Sequence, residues 1–281
     1  VNKVTNIEPV FLLGTARSGT TMLGETLLSC HAEIAYLGEI NYLWKYGHDF
    51  SFYDDIDECR YTDNAISVIR NQIVRQAIGR NPRAKIFIDK TPANCLRVEV
   101  LLRAFPNAKF IHLTRNGEAV ARSAVNEWLG QAGSALDSAE VRKKPLLSRL
   151  YLTIKRKSNL RNRVFDFRSF VSLMAYFPDL FRLLARMLGF NAKSYWGPKF
   201  KGIKELVKSQ SLNSVCYKQW EHCHDQAIES LEYVERNKIL NVQYELICRH
   251  PRRELENIFS FLELPVKNEV IEQMVAKVIN R

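Results

Sequence analysis

Short apolar runs and helical-period stretches alternate along this chain. Val10-Phe11-Leu12-Leu13 is an uninterrupted apolar run closed by Gly14, as expected of a parallel strand buried on both faces. A glycine-containing turn follows, then a helical stretch over about 20–29. Lys85-Ile86-Phe87-Ile88-Asp89 predicts a second strand, with a helix behind it over about 93–104. Pro106-Asn107-Ala108 turns the chain into a third strand, Lys109-Phe110-Ile111-His112-Leu113, followed by a helix over about 118–129. A fourth strand, Lys238-Ile239-Leu240-Asn241-Val242, comes late and has helices on both sides. Strands alternating with helices predict an α/β fold whose parallel sheet is covered on both faces. Residues 130–212 break the rhythm. They read as helical, basic and interleaved with aromatic residues, and form an insertion within a single domain spanning 1–281.

Composition narrows the class. With 281 residues, 46% of them hydrophobic, the chain has enough apolar surface for a sizeable core. No run of eighteen or more uncharged apolar residues occurs, and Val1 to Pro9 carries no apolar signal region; a soluble, cytoplasmic chain is expected. The six cysteines form no Cys-x-x-Cys pair and read as reduced thiols. His222-Cys223-His224 has metal-binding residue types, but neighbours one and two apart on a helix point in different directions, so no metal site is expected. The net charge of +11 is unevenly spread. Residues 142–208 hold seventeen Lys and Arg against Asp166, Asp179 and Glu205, a net of +14, which leaves −3 for the rest.

The strongest chemical signal is Gly14-Thr15-Ala16-Arg17-Ser18-Gly19-Thr20-Thr21, between a strand and a helix. Glycines permit a tight turn whose N–H groups point inward, and the helix start adds partial positive charge, an arrangement that binds phosphate. The glycine spacing is P-loop-like, yet Thr20 stands where nucleoside triphosphatases place their lysine, and the cation has moved into the loop as Arg17. A kinase of a small metabolite needs that lysine and a Mg²⁺-holding acid. A 5′-phosphate gripped by a bidentate arginine suits this loop better.

The loop resembles the 5′-phosphosulfate loop of sulfotransferases that use 3′-phosphoadenosine-5′-phosphosulfate (PAPS). A second block is similar too: Arg115 after the third strand and Ser123 eight residues on correspond to the family's 3′-phosphate grip. The late Val242-Gln243-Tyr244-Glu245-Leu246 resembles the family's strand-to-helix Tyr-Glu motif, and from it only Tyr244 is carried over as a nucleotide neighbour. Two departures set the branch. Met22 replaces the tryptophan that many cytosolic members stack on adenine, and Pro92 in Asp89-Lys90-Thr91-Pro92 stands where those members have a histidine base. The chain therefore looks closer to the carbohydrate- and protein-modifying and bacterial branches, whose base is a carboxylate after the first helix. Gly38-Glu39-Ile40-Asn41 nominates Glu39, with His31 and His112 next in line.

The resemblance implies PAPS as donor, its bisphosphate PAP as product, and no metal. Gly14, Arg17, Ser18, Gly19, Thr20, Thr21, Arg115, Ser123 and Tyr244 would bind nucleotide; Glu39, Lys90 and Arg17 would act in transfer. The acceptor would be a carbohydrate or small molecule. The basic segment motivates a rival, a nucleic-acid or membrane-surface binding protein. A stripe over 173–188 reads instead as core or lid packing.

Overall fold

The structure, a computed structural model, describes residues 7–28, 31–129 and 195–279. The described strands are β1 (Glu8–Leu13), β2 (Ile34–Gly38), β3 (Ile86–Asp89), β4 (Lys109–Thr114) and β5 (Ile239–Gln243). They form one sheet in the order β2-β3-β1-β4-β5, and every pairing is parallel. Parallel neighbours need crossovers. The described helices are α1 (Thr20–Leu28), α2 (Asn41–Trp44), α3 (Asp63–Arg80), α4 (Val98–Ala104), α5 (Gly117–Trp128), α6 (Ile203–Ser209), α7 (Leu212–Leu231), α8 (Tyr244–Arg249), α9 (Pro251–Phe261) and α10 (Asn268–Ile279).

The two-residue period of the strands sorts the core by chemistry. Val10, Leu12, Ile86, Ile88, Ile111, Leu113 and Val242 pack with residues of α1, α9 and α10 in a mainly aliphatic cluster that also holds Phe259. The alternate positions, Phe11, Phe87 and Phe110, face the other way. Phe11 lies 5.8 Å from Trp44, 6.2 Å from Phe87 and 6.0 Å from Phe105, ring centre to ring centre. Each buried large side chain of this kind stabilises by about 1.5–3 kcal/mol relative to exposure.

Two elements go beyond the sequence reading. Among the described residues β2 is an edge strand whose one partner is β3. α3 begins at a Thr62 cap, whose side chain accepts the Ala65 N–H, and buries Ile66, Ile69, Ile73 and Ala77. The helix expected over 93–104 is a 3₁₀ turn (Pro92–Leu96) followed by α4.

The chain divides into two compact units, Val1–Ala121 with Gly197–Arg281, and Arg122–Trp196. The sheet lies in the first, as do residues 197–212 of the expected insertion. In the second, the rings of Trp128 and Tyr195 meet edge-on at 6.2 Å. Residues 130–194, with most of the basic segment and the 173–188 stripe, fall outside the described residues. Among the described residues no helix is long and apolar enough to cross a membrane.

Candidate active site at the carboxyl edge of the sheet

Parallel strands leave all their carboxyl ends on one edge, where ligands of open α/β sheets sit. Here the residue that follows each strand is one the sequence singled out: Gly14 after β1, Glu39 after β2, Lys90 after β3, Arg115 after β4 and Tyr244 after β5. Register aligns these ends, with Gly38 opposite Asp89 and Thr114 opposite Gln243.

The loop over 14–19 is tightly built. Ser18 N–H donates to the Thr15 carbonyl at 3.1 Å, and the hydroxyls of Thr15 and Ser18 are bonded to each other. Ser18 thus bonds its hydroxyl inside the loop, to a motif residue not nominated for nucleotide binding. Arg17 has φ +74° and is exposed, and Gly19 has φ +95°. Leu23 N–H, bonded to the Gly19 carbonyl at 3.1 Å, makes the first helical bond. The preceding first-turn amides of α1 have no carbonyl within their helix to receive them. A Cβ on Gly14 would lie 2.8 Å from the Leu113 carbonyl, and one on Gly19 would lie 2.7 Å from Cε2 of Tyr244.

Tyr244 joins this loop to the second arginine. The Arg115 guanidinium lies over the Tyr244 ring, 4.1 Å from its centre, and its Nη1 donates to the Arg17 carbonyl at 2.9 Å. Asn116, the next residue, donates its backbone N–H to Glu245 Oε1 at 3.0 Å. Glu245 was missed because the late motif contributed only its tyrosine. Ser123 is a half-buried residue of α5 in the second unit.

Lys90 and Glu39 form the other half. Lys90 Nζ donates to Glu39 Oε1 at 2.6 Å and to Thr21 Oγ1 at 3.1 Å. The lysine side chain is 6% exposed and the glutamate 58%. A pair so open on one side adds at most about 1 kcal/mol of stability. Its interest is chemical: a carboxylate facing solvent beside a sheltered cation.

Below them Asp89 is fully buried. It accepts bonds from Trp44 Nε1 (2.7 Å), Asn94 Nδ2 (2.8 Å) and Thr91 Oγ1 (2.6 Å). Burial pushes its pKa up to about 6, against the pull of those three donors. Neither substitute base is open. His31 bonds the Pro265 carbonyl through Nε2 at 2.8 Å and receives the Glu33 N–H on Nδ1. His112 is buried, and burial lowers its pKa to about 4. Met22 is 6% exposed within the aliphatic cluster, so it is a core residue, not a platform for a base.

Cys223 is buried, while its neighbours diverge: His222 stacks on Phe200 and His224 on Trp220. Among the described residues no group of three or more His, Cys, Asp or Glu is arranged to hold a metal ion.

Known proteins share this arrangement of chain. Protein-tyrosine sulfotransferase 1 of Rattus norvegicus is 26% identical over 143 residues, 47% of this chain and 38% of that protein. The chain thus spans well under half the length of that curated relative. A sulfotransferase domain from the curacin biosynthetic pathway superposes with a TM-score of 0.50 at 15% identity, over 94% of this chain and 76% of the other. One from the Synechococcus PCC 7002 olefin synthase gives 0.50 at 16%, over 99% and 82%. These two are likenesses of fold. The model of the sulfotransferase family matches residues 9–170, which takes in the loop, Glu39, Lys90 and Arg115. With more than half of its 281 residues inside that match, the chain belongs to the sulfotransferase family.

Proposed function

We propose that this chain transfers a sulfuryl group from PAPS to a hydroxyl or amine of a carbohydrate or small-molecule natural product by in-line displacement. One observation carries the proposal: the phosphate-type loop, the stacked Arg115 and the Lys90–Glu39 pair all sit at the carboxyl edge of one parallel sheet. The residues fit a nucleotide with two phosphate groups. Arg17 and the amides of Gly19, Thr20 and Thr21 would hold the 5′-phosphate, and Arg115 and Tyr244 the 3′-phosphate side. Gly14 contributes the turn, and Ser18 braces it through Thr15.

Glu39 accepts the acceptor's proton as the acceptor's oxygen or nitrogen bonds to sulfur. The bond from sulfur to the bridging phosphate oxygen breaks in the same displacement, and the electron pair leaves with the 5′-phosphate. Lys90 and Arg17 neutralise charge that builds on the bridging and sulfuryl oxygens. PAPS supplies the activated sulfuryl group, and PAP is the product. The loop's Thr20, in place of a phosphate-gripping lysine, speaks against a metabolite kinase.

The likeness to a protein-tyrosine sulfotransferase favours a second acceptor, the phenolic hydroxyl of a tyrosyl peptide. Incubation with sulfur-labelled PAPS and a panel of sugars, phenols, amines and tyrosyl peptides tests both readings. Label is expected in one acceptor class, and Arg115→Ala should weaken PAP binding by about 2–4 kcal/mol. A chain that neither binds PAP nor moves label overturns the assignment.

A further inference from the structure

Glu39 and Lys90 lie on different strands, so their meeting depends on how the ends of β2 and β3 are fastened. One fastening is backbone: Lys90 N–H donates to the Gly38 carbonyl at 3.0 Å. The other is a side chain. Ile40 N–H, the amide just beyond Glu39, donates to Thr91 Oγ1 at 3.0 Å. A threonine hydroxyl has one proton to give, and that of Thr91 goes to Asp89 Oδ1 at 2.6 Å. With its proton committed, the oxygen presents a lone pair to Ile40. Asp89 is itself fixed on its other oxygen by Trp44 and Asn94. Glu39 is therefore bracketed by bonds at Gly38 and Ile40, and Lys90 lies between the two residues that make the side-chain link.

We infer that Thr91, oriented by Asp89, is a positioning residue that holds Glu39 and Lys90 together for proton abstraction and charge neutralisation. The inference rests on the sulfuryl-transfer reading. Its physical basis is that small misplacements of a reacting group cost large factors in rate. The link touches neither Arg17, Arg115 nor Tyr244 and reaches the loop only through the bond from Lys90 to the Thr21 hydroxyl, so nucleotide affinity should change little when it is lost.

The test compares the intact chain with Thr91→Val, Thr91→Ser and Thr91→Cys. Valine keeps the shape and removes the hydroxyl, serine keeps the hydroxyl, and cysteine offers only a weak donor and acceptor. Turnover and acceptor KM are measured with labelled PAPS and the best acceptor, and the PAP dissociation constant by calorimetry. Thr91→Val is expected to lower kcat about tenfold or more, with the PAP constant within about twofold, as for a lost buried hydrogen bond that acts only through Glu39 and Lys90. Thr91→Ser should return kcat to within about threefold. Should Thr91→Val fail to fold, Thr91→Cys decides, with the same loss expected. A kcat equal to that of the unaltered chain in Val, or in Cys if Val does not fold, overturns the inference. So does a serine variant as slow as valine, because the methyl group would then matter and the hydroxyl would not. An unaltered chain that moves no label overturns the transfer reading itself, and the inference with it.

Discussion

Gly19 is where the loop, Tyr244 and Arg115 press on one another, and Gly19→Ala tests whether they act as one mechanical unit. The added methyl meets two obstacles. At φ +95° an alanine is strained by about 1–2 kcal/mol. Its Cβ would also lie 2.7 Å from Tyr244 Cε2, and overpacking of that kind costs about 1–3 kcal/mol more. Tyr244 can relieve the clash only by moving, and the Arg115 guanidinium rests on that ring at 4.1 Å. Gly47 supplies the control, for its φ is +82° but nothing lies within 4 Å of its would-be Cβ. Urea unfolding should show Gly47→Ala losing only the strain, about 1–2 kcal/mol, and Gly19→Ala about 2–5 kcal/mol. Calorimetry with PAP should show affinity unchanged in Gly47→Ala and lowered about tenfold or more in Gly19→Ala, since displacing Arg115 by even a modest amount forfeits about 1.4 kcal/mol. Equal PAP affinities in the two variants would refute the coupling between loop, ring and arginine.

Two further outcomes follow from the same geometry. Glu39→Gln should lower turnover by about 10²–10⁴-fold, the usual share of general-base catalysis, while stability changes by no more than about 1 kcal/mol because the carboxylate is 58% exposed; unaltered turnover would move the base elsewhere. His112 is held neutral by burial and by the His224 ring 5.8 Å away, which together outweigh the opposing pull of its bond to Asn241, so its pKa falls from 6.5 to about 4. On acidification the unfolded chain takes up this proton first, so its contribution is intact above about pH 6.5 and drains away toward pH 4. By pH 4.5 the loss is about 2–3 kcal/mol. Urea unfolding of the unaltered chain and of His112→Gln at pH 7 and 4.5 checks this; equal losses in both would exclude His112 as the source.

Much of the site is visible in the residues themselves because parallel sheets impose a simple rule. Each strand is a short apolar run, and whatever follows it lands on the ligand edge. The rule places Gly14 and Lys90 directly after two predicted runs, and it agrees with Arg115 and Tyr244, which family resemblance nominated. Glu39 rests on family resemblance alone, because the segment before it gives no strand signal of its own. Ile34-Ala35-Tyr36-Leu37 is brief, shows no alternation, and takes its identity from pairing with β3. α3 does carry a legible stripe in Ile66, Ile69, Ile73 and Ala77 behind a threonine cap. What no reading of the chain could supply was the traffic between distant residues.

The sequence by itself determined the strand-loop-helix units, the phosphate-type turn and the kinds of side chain that end each strand, because these depend on local period, glycine placement and neighbouring residues. Tertiary structure decided which of them meet. Lys90 reaches Glu39 across 51 positions, and Arg115 reaches the Arg17 carbonyl across 98. Asp89 became a buried anchor rather than a solvated strand end only when Trp44, Thr91 and Asn94 closed over it. The reason is physical. A hydrogen bond fixes its partners within about 3 Å, whereas position along a chain bounds the distance between two residues only from above, so contacts are chosen by the strand order and register that bury the core.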